Sequence, residues 1–162
     1  MAADESPTYQ LHKGSSYHSD VNIGEIVNVT AATLTILPET HGHKYVTLDL
    51  AAGQAVTLPA ATGTGDQYTF YVETDITTAG SIKCSVAADL MAGFAIIGEA
   101  DTAPLTFHTT AGSDTIAMDG SATGGLQGDM IVLTDISSGI WQVTMIATAS
   151  TTATTPFDAT VT

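Results

Sequence analysis

Apolar and polar residues alternate in short runs along most of the chain, which is the pattern of strands with one buried face. The clearest runs are residues 33–37, 45–50 and 68–72. The last of these combines aromatic and β-branched side chains and therefore has the highest strand propensity. Each run lies next to Pro, Gly or Asp, which favour turns. The pattern predicts β-strands joined by tight connections, with helix nearly absent.

The second half of the chain continues this pattern. Further short runs cover residues 82–86, 94–97, 105–108, 115–118, 130–133 and 140–146. Gly93 and Gly98 bracket one of these runs and are interpreted as turn residues. About ten short strands at close spacing, separated by turn residues, are typical of an all-β fold. We therefore predict an antiparallel β-sandwich or barrel-like domain.

The two ends of the chain depart from the strand pattern. Residues 1–20 are polar and aperiodic, which fits either a loose end or an extended N-terminal arm that orders on a partner. Tyr9, Leu11 and Tyr17 are the apolar anchors that such an arm would use. Residues 21–162 form the predicted single β domain. Its last part, residues 147–162, is rich in Thr and Ala and is expected either to pair as an edge strand or to form a loose tail.

The charge of the chain is strongly acidic and argues against two classes of partner. Among 162 residues, 17 are Asp or Glu and 3 are Lys or Arg, which gives a formal net charge of -14. Binding to nucleic acid or to an anionic membrane depends on Lys and Arg, so neither partner is expected. The N-terminus lacks the basic start and apolar segment of a signal peptide. We expect the chain to be made in a cytoplasm.

His41 and His43 have the most metal-like spacing in the sequence. Alternate residues of a strand point to the same side, so two imidazoles at this spacing could bind one ion. The flanking residues 38–40 (PET) and Lys44 favour a loop instead, and no third ligand can be identified. Solvated turn histidines are the simpler interpretation, and we predict no metal site.

Four aspartates lie near Gly-rich turns, where Asp commonly bonds to nearby backbone groups. They are Asp114, Asp119, Asp129 and Asp135. Their spacing does not match a calcium-binding loop, so a role in turns is predicted for them. The sequence also shows no phosphate-binding loop, nucleophile elbow or recognisable nucleophile–base pair. We predict that the chain is not an enzyme and uses no cofactor.

Cys84 is the sole cysteine and lies in a strand-like run, so a buried, apolar role is predicted and an intrachain disulfide is not possible. Trp141, Tyr68, Phe70 and Tyr71 could line a carbohydrate-binding platform. Trp141 lies within an alternating strand, however, and packing in the core is the simpler interpretation.

Several patches of the chain resemble capsid decoration (cement) proteins of tailed bacteriophages. They are residues 35–49 (TILPETHGHKYVTLD), 51–53 (AAG), 56–65 (VTLPAATGTG), 125–136 (GLQGDMIVLTDI), 139–143 (GIWQV) and 155–157 (TPF).

The resemblance implies a β-rich domain on the outer surface of a phage capsid, bound to the major capsid protein, commonly as a trimer and commonly with an N-terminal segment contacting the shell. The family has no catalytic motif. The expected function is therefore that of a structural virion protein that stabilises the capsid. An adhesive or carbohydrate-binding module of a head fibre or spike is the alternative.

Overall fold

The computed structural model describes residues 25–100 and 102–161. Strands make up 47% and helix 3% of the structure, so the predicted all-β class is confirmed. In chain order the strands are β1 (Ile26–Val29), β2 (Thr33–Thr35), β3 (Tyr45–Leu48), β4 (Ala55–Thr57), β5 (Gln67–Val72), β6 (Gly80–Lys83), β7 (Leu90–Glu99), β8 (Leu105–His108), β9 (Thr115–Met118), β10 (Met130–Ser137), β11 (Ile140–Ala149) and β12 (Phe157–Asp158). The helix, α1, is Pro38–His41.

The described strands form two mixed sheets and no closed barrel. One sheet has seven strands in the order β1-β3-β5-β10-β11-β7-β8, and the other has five in the order β12-β9-β6-β4-β2. The predicted antiparallel pairing is wrong for half of the neighbouring strands. Five pairs are parallel, and five are antiparallel.

Four of the five parallel pairs, all except β7 with β11, arise because the first six strands alternate between the two sheets. The chain crosses from β1 to β2, returns to β3, and repeats this path through β4, β5 and β6. Each return brings the chain back in the same direction, so successive strands within one sheet are parallel. Alternating apolar residues predict a buried face for either direction of pairing, and therefore do not distinguish the two.

The core lies between the inner faces of the two sheets. Trp141, Tyr68 and Phe70 contribute from the seven-stranded sheet, and Ile82 and Ile116 contribute from the five-stranded sheet, all without solvent exposure. Burial of each such side chain is worth about 1.5–3 kcal/mol relative to exposure. The predicted core position of Trp141 is confirmed.

The C-terminal segment of the chain is attached to the five-stranded sheet. Phe157–Asp158 pairs with β9 at the edge of that sheet, so this part of the tail is an edge strand.

The predicted arm anchors Tyr9, Leu11 and Tyr17 lie outside the described residues. No helix in the described part of the chain is long and apolar enough to cross a membrane.

Candidate functional site

His41 and His43 lie in different surroundings and have different partners. Pro38 starts the short helix α1, and the buried His41 closes it, with its Nδ1 atom accepting the Leu37 N–H at 3.0 Å. His43 is exposed in a left-handed conformation, and its Nε2 atom lies 3.8 Å from the Asp66 carboxylate. No cluster of three or more potential metal ligands occurs among the described residues. One of the two predicted turn histidines is therefore a structural part of the helix.

Asp135 is a buried carboxylate that holds the loop after β4 against β10. The backbone N–H groups of Thr62, Gly63 and Thr64 donate to its oxygens at 3.1, 2.7 and 3.1 Å. The hydroxyls of Thr62 and Thr64 donate to the same carboxylate at 3.3 and 3.0 Å. Burial alone would raise the pKa of Asp135, but these hydrogen bonds outweigh it and hold the pKa below its ordinary value.

Asp129 plays a similar part at the opposite end of β10. It accepts the N–H groups of Gly125 and Leu126 at 2.7 and 3.0 Å, and both the N–H and the hydroxyl of Thr148 at 2.8 Å. Burial raises the pKa of Asp129 above its ordinary value, although these hydrogen bonds oppose the shift. The carboxylate therefore joins the turn before β10 to strand β11.

The other two aspartates also bind backbone groups. Asp119 accepts the N–H groups of residues 121–123 at 2.8–3.0 Å. Although burial acts in the opposite direction, these bonds lower the pKa of Asp119. Asp114 accepts the N–H groups of residues 160 and 161 at 2.9 and 3.2 Å, which fixes the C-terminal segment. The predicted bonding to nearby backbone groups is confirmed for Asp119 and Asp129. For Asp114 and Asp135 it is wrong, because their backbone partners lie more than 40 residues away in sequence.

Cys84 is buried, as predicted. Burial, together with the negative charges of Asp89 and Asp114, raises the pKa of the Cys84 thiol to about 12. The thiolate is the reactive form of cysteine, so this environment suppresses its chemistry.

We predict that Cys84 in the folded protein does not react with iodoacetamide at pH 8 during the time in which the urea-unfolded chain is fully alkylated. Intact-mass spectrometry of both samples measures the modified fraction. Because the cysteine is unique, each chain can gain only one adduct, and the unfolded sample is the control. Equal rates in the two samples would contradict the buried, protonated state.

The proposed carbohydrate platform around Trp141 does not exist as a surface. Trp141, Tyr68 and Phe70 are fully buried, and the rings of Trp141 and Tyr68 pack with their centroids 5.7 Å apart. Burial, reinforced by the carboxylates of Asp66 and Asp135, raises the pKa of Tyr68 and keeps its phenol neutral. Of the four aromatic residues, Tyr71 alone faces solvent.

The outer face of the seven-stranded sheet is the most distinctive surface of the domain. Residues in register across its strands form two outward rows, which we call the neutral face. One row is Asn28, Thr47, Tyr71, Met130, Ile146, Ile96 and Thr106, and the other is Ile26, Tyr45, Thr69, Val132, Thr144, Phe94 and His108.

The neutral face is apolar and nearly free of charge. Five of the nine exposed large hydrophobic residues of the described chain lie on it. Tyr71, Met130, Ile146 and Ile96 are successive neighbours in register, so the apolar surface is continuous along that row. Contiguous apolar patches of this kind mark interaction sites. Neither row contains Asp, Glu, Lys or Arg among the described residues, and His108 is their sole titratable group apart from the two tyrosines. The outer face of the five-stranded sheet instead carries mostly Thr, Ser and Ala side chains, together with the charged Lys83 and Asp158.

A groove of about 590 Å³ lies at the β1 end of the neutral face. Its lining residues are Ile26, Asn28, Tyr45, Thr47, Tyr71, Glu73 and Gln127. Thr47, on the middle strand β3, is 6% exposed and forms the floor, while larger side chains on the neighbouring strands form the walls. The sequence pattern singled out Tyr71 alone among these residues, because the others meet only through the parallel pairing of β1, β3 and β5.

Comparisons of the chain with family models, curated proteins and solved structures find no match.

Proposed function

We propose that the chain is a structural virion protein that decorates and stabilises the outer surface of a tailed-phage capsid by non-covalent binding to the major capsid protein. The observation that carries the proposal is the neutral face. The proposed partner and the expected trimer rest on the resemblance to capsid decoration proteins of residues 35–49, 51–53, 56–65, 125–136, 139–143 and 155–157.

The distribution of charge favours docking through the neutral face. The chain carries a formal net charge of -14, so most of its surface repels other acidic surfaces. The two rows of the neutral face offer a partner no Asp, Glu, Lys or Arg side chain, and a partner that docks on them buries apolar side chains at a gain of about 25 cal/mol per Å². Ile96 and Ile146 are adjacent in register on β7 and β11 and are the exposed large apolar residues toward the β8 end of this face.

Stabilisation of a capsid in this way needs no catalytic group. A protein that binds the assembled shell, and not its separated subunits, shifts the equilibrium toward the shell by mass action. The rigid two-sheet core, with its loops held by buried aspartates, keeps the docking face in a fixed shape. Tyr9, Leu11 and Tyr17 remain proposed additional contacts.

Capsids assembled without this chain provide the test of the proposal. The purified chain is expected to co-sediment with them at a fixed and saturable copy number and to raise their temperature of disruption. Absence of saturable binding at micromolar chain concentration would count against capsid decoration.

The variants Ile96→Glu and Ile146→Glu are expected to weaken capsid binding by about tenfold or more each, because each places a charge on an exposed apolar position of the docking face. Co-sedimentation across a range of chain concentrations gives the affinity. Thr35→Glu introduces the same charge on the exposed outer face of the five-stranded sheet and is the matched control. An equal loss of affinity in all three variants would show that net charge, and not the neutral face, controls binding.

A further inference from the structure

We propose that the groove at the β1 end of the neutral face binds a neutral carbohydrate. This site is separate from the docking region around Ile96 and Ile146, since it is built on β1, β3 and β5 at the other side of the sheet. The inference goes beyond capsid decoration, because it assigns the chain a second ligand of a different chemical class.

The shape of the groove suits a small ring-shaped ligand. The small side chain of Thr47 lies between Asn28 on one neighbouring strand and Tyr71 on the other, all in one register row. Tyr45 precedes Thr47 by two residues on the same face of β3 and closes the depression along the strand. A volume of about 590 Å³ lies within the range of small-molecule sites.

Tyr45 and Tyr71 supply the stacking surfaces. They lie on adjacent strands, offset by two residues, so their Cα atoms are roughly 8 Å apart from strand spacing and rise. Both rings are partly exposed, at 47% and 37%. The negative face of an aromatic ring attracts the slightly positive C–H groups on the apolar side of a pyranose, while the phenol hydroxyl remains available to the sugar hydroxyls.

Polar groups around these rings can bind the hydroxyls of a sugar. Asn28 Oδ1 accepts the Thr47 hydroxyl at 3.2 Å, which orients the amide and leaves its NH₂ group as a donor. Glu73 and Gln127 are exposed at the rim. Within the described part of the chain, neither the Glu73 carboxylate nor the Gln127 side-chain amide has a hydrogen-bond partner. Donors and acceptors are thus both present, as hydroxyl recognition requires.

The charge of the groove selects neutral sugars. Its lining residues include no Lys, Arg or His among those described, and Glu73 is its only charged member. An acidic sugar or a phosphate would be repelled by Glu73 and would find no cation to compensate. A neutral hexose or N-acetylhexosamine avoids this cost.

Saturation-transfer NMR on the full chain tests the proposal, with glucose, galactose, mannose and N-acetylglucosamine as neutral probes and N-acetylneuraminic acid as the acidic probe. We expect saturable binding of at least one neutral probe and no saturable binding of the acidic one. Tyr71→Ala and Asn28→Ala are expected to weaken that binding by about tenfold or more. Tyr71→Phe keeps the stacking ring and is expected to retain most of the affinity.

Val86→Ala, at an exposed apolar residue outside both the groove and the neutral face, is the control that should leave sugar binding unchanged, and circular dichroism verifies that each variant is folded. The proposal is overturned if no neutral probe binds saturably, if Tyr71→Ala and Asn28→Ala both bind as tightly as the parent chain, or if the acidic probe binds more tightly than the neutral ones. Sugar binding without capsid binding would contradict only the proposed capsid decoration. Capsid binding without sugar binding would contradict only the proposed sugar site.

Discussion

Replacing Gly93 by alanine is expected to destabilise the domain by at least about 3 kcal/mol, or to prevent folding, because there is no space for a side chain. A Cβ atom on Gly93 would lie 1.9 Å from the carbonyl oxygen of Val143, its register partner on β11. Gly93 and Val143 lie on paired interior strands of the seven-stranded sheet. Removing the clash between the new Cβ atom and the carbonyl oxygen would therefore require β7 and β11 to separate.

Gly98→Ala is the matched control, because Gly98 lies in the same strand and its added Cβ atom would meet only the Ala147 carbonyl oxygen, at 3.9 Å. This variant is expected to have a stability close to that of the parent chain. Urea unfolding, followed by the fluorescence of the buried Trp141, measures both free energies of unfolding. Equal stabilities of the Gly93→Ala and Gly98→Ala variants would contradict the close approach of the two backbones.

Replacing Asp135 by alanine is expected to lower the free energy of unfolding by about 3 kcal/mol at neutral pH. The carboxylate accepts five hydrogen bonds from Thr62, Gly63 and Thr64, and hydrogen bonds to a charged group contribute about 1.5–3 kcal/mol each. Loss of the shared acceptor leaves the loop after β4 without its anchor, although water can satisfy some of its groups. Urea unfolding again gives the change, and Asp158→Ala, at an exposed carboxylate bonded to its own neighbour, is the control.

The effect of Asp135 is also expected to depend on pH. A carboxyl group with a lowered pKa in the folded state stabilises the protein above its unfolded pKa, and this contribution is lost as the pH falls through the folded pKa. The difference in stability between the parent chain and Asp135→Ala should therefore shrink below about pH 4. Asp129 has a raised pKa in the folded state, so its effect on the free energy of unfolding has the opposite sign. Ionisation of its carboxyl group destabilises the folded protein as the pH rises. A constant difference for Asp135→Ala between pH 7 and pH 3 would contradict the assigned hydrogen bonds.

Local sequence patterns predicted most strands but not their arrangement. The run at residues 68–72 is β5 with one further residue, and the alternation at residues 45–50 corresponds to β3. Pairing direction could not be predicted, because it depends on which sheet each connection reaches. The connections between β1 and β6 pass from one sheet to the other and back. The composition of those loops does not indicate that each one changes sheet.

Gly93 and Gly98 show a second limit of sequence reasoning. Both were interpreted as turn residues, yet β7 runs through them from Leu90 to Glu99. Gly93 is required there by the nearby carbonyl of Val143, which belongs to a strand 50 residues away in sequence. A glycine that permits close approach of two backbones looks the same in a sequence as a glycine in a turn.

The candidate sites were less predictable than the strands. Alternation placed Trp141 in the core correctly, but the groove joins residues as distant in sequence as Asn28 and Gln127. The sequence suggested carbohydrate binding through aromatic residues, and the structure removes Trp141, Tyr68 and Phe70 from any such surface. Tyr71 and Tyr45 come together only because β3 and β5 are parallel neighbours.

Electron cryomicroscopy of capsids assembled with and without the chain tests the proposed function most directly. The proposal predicts additional density on the outer surface of the shell, with the face that carries Ile96 and Ile146 turned toward the major capsid protein. Absence of additional density, or contact through the outer face of the five-stranded sheet with the neutral face exposed to solvent, would contradict it.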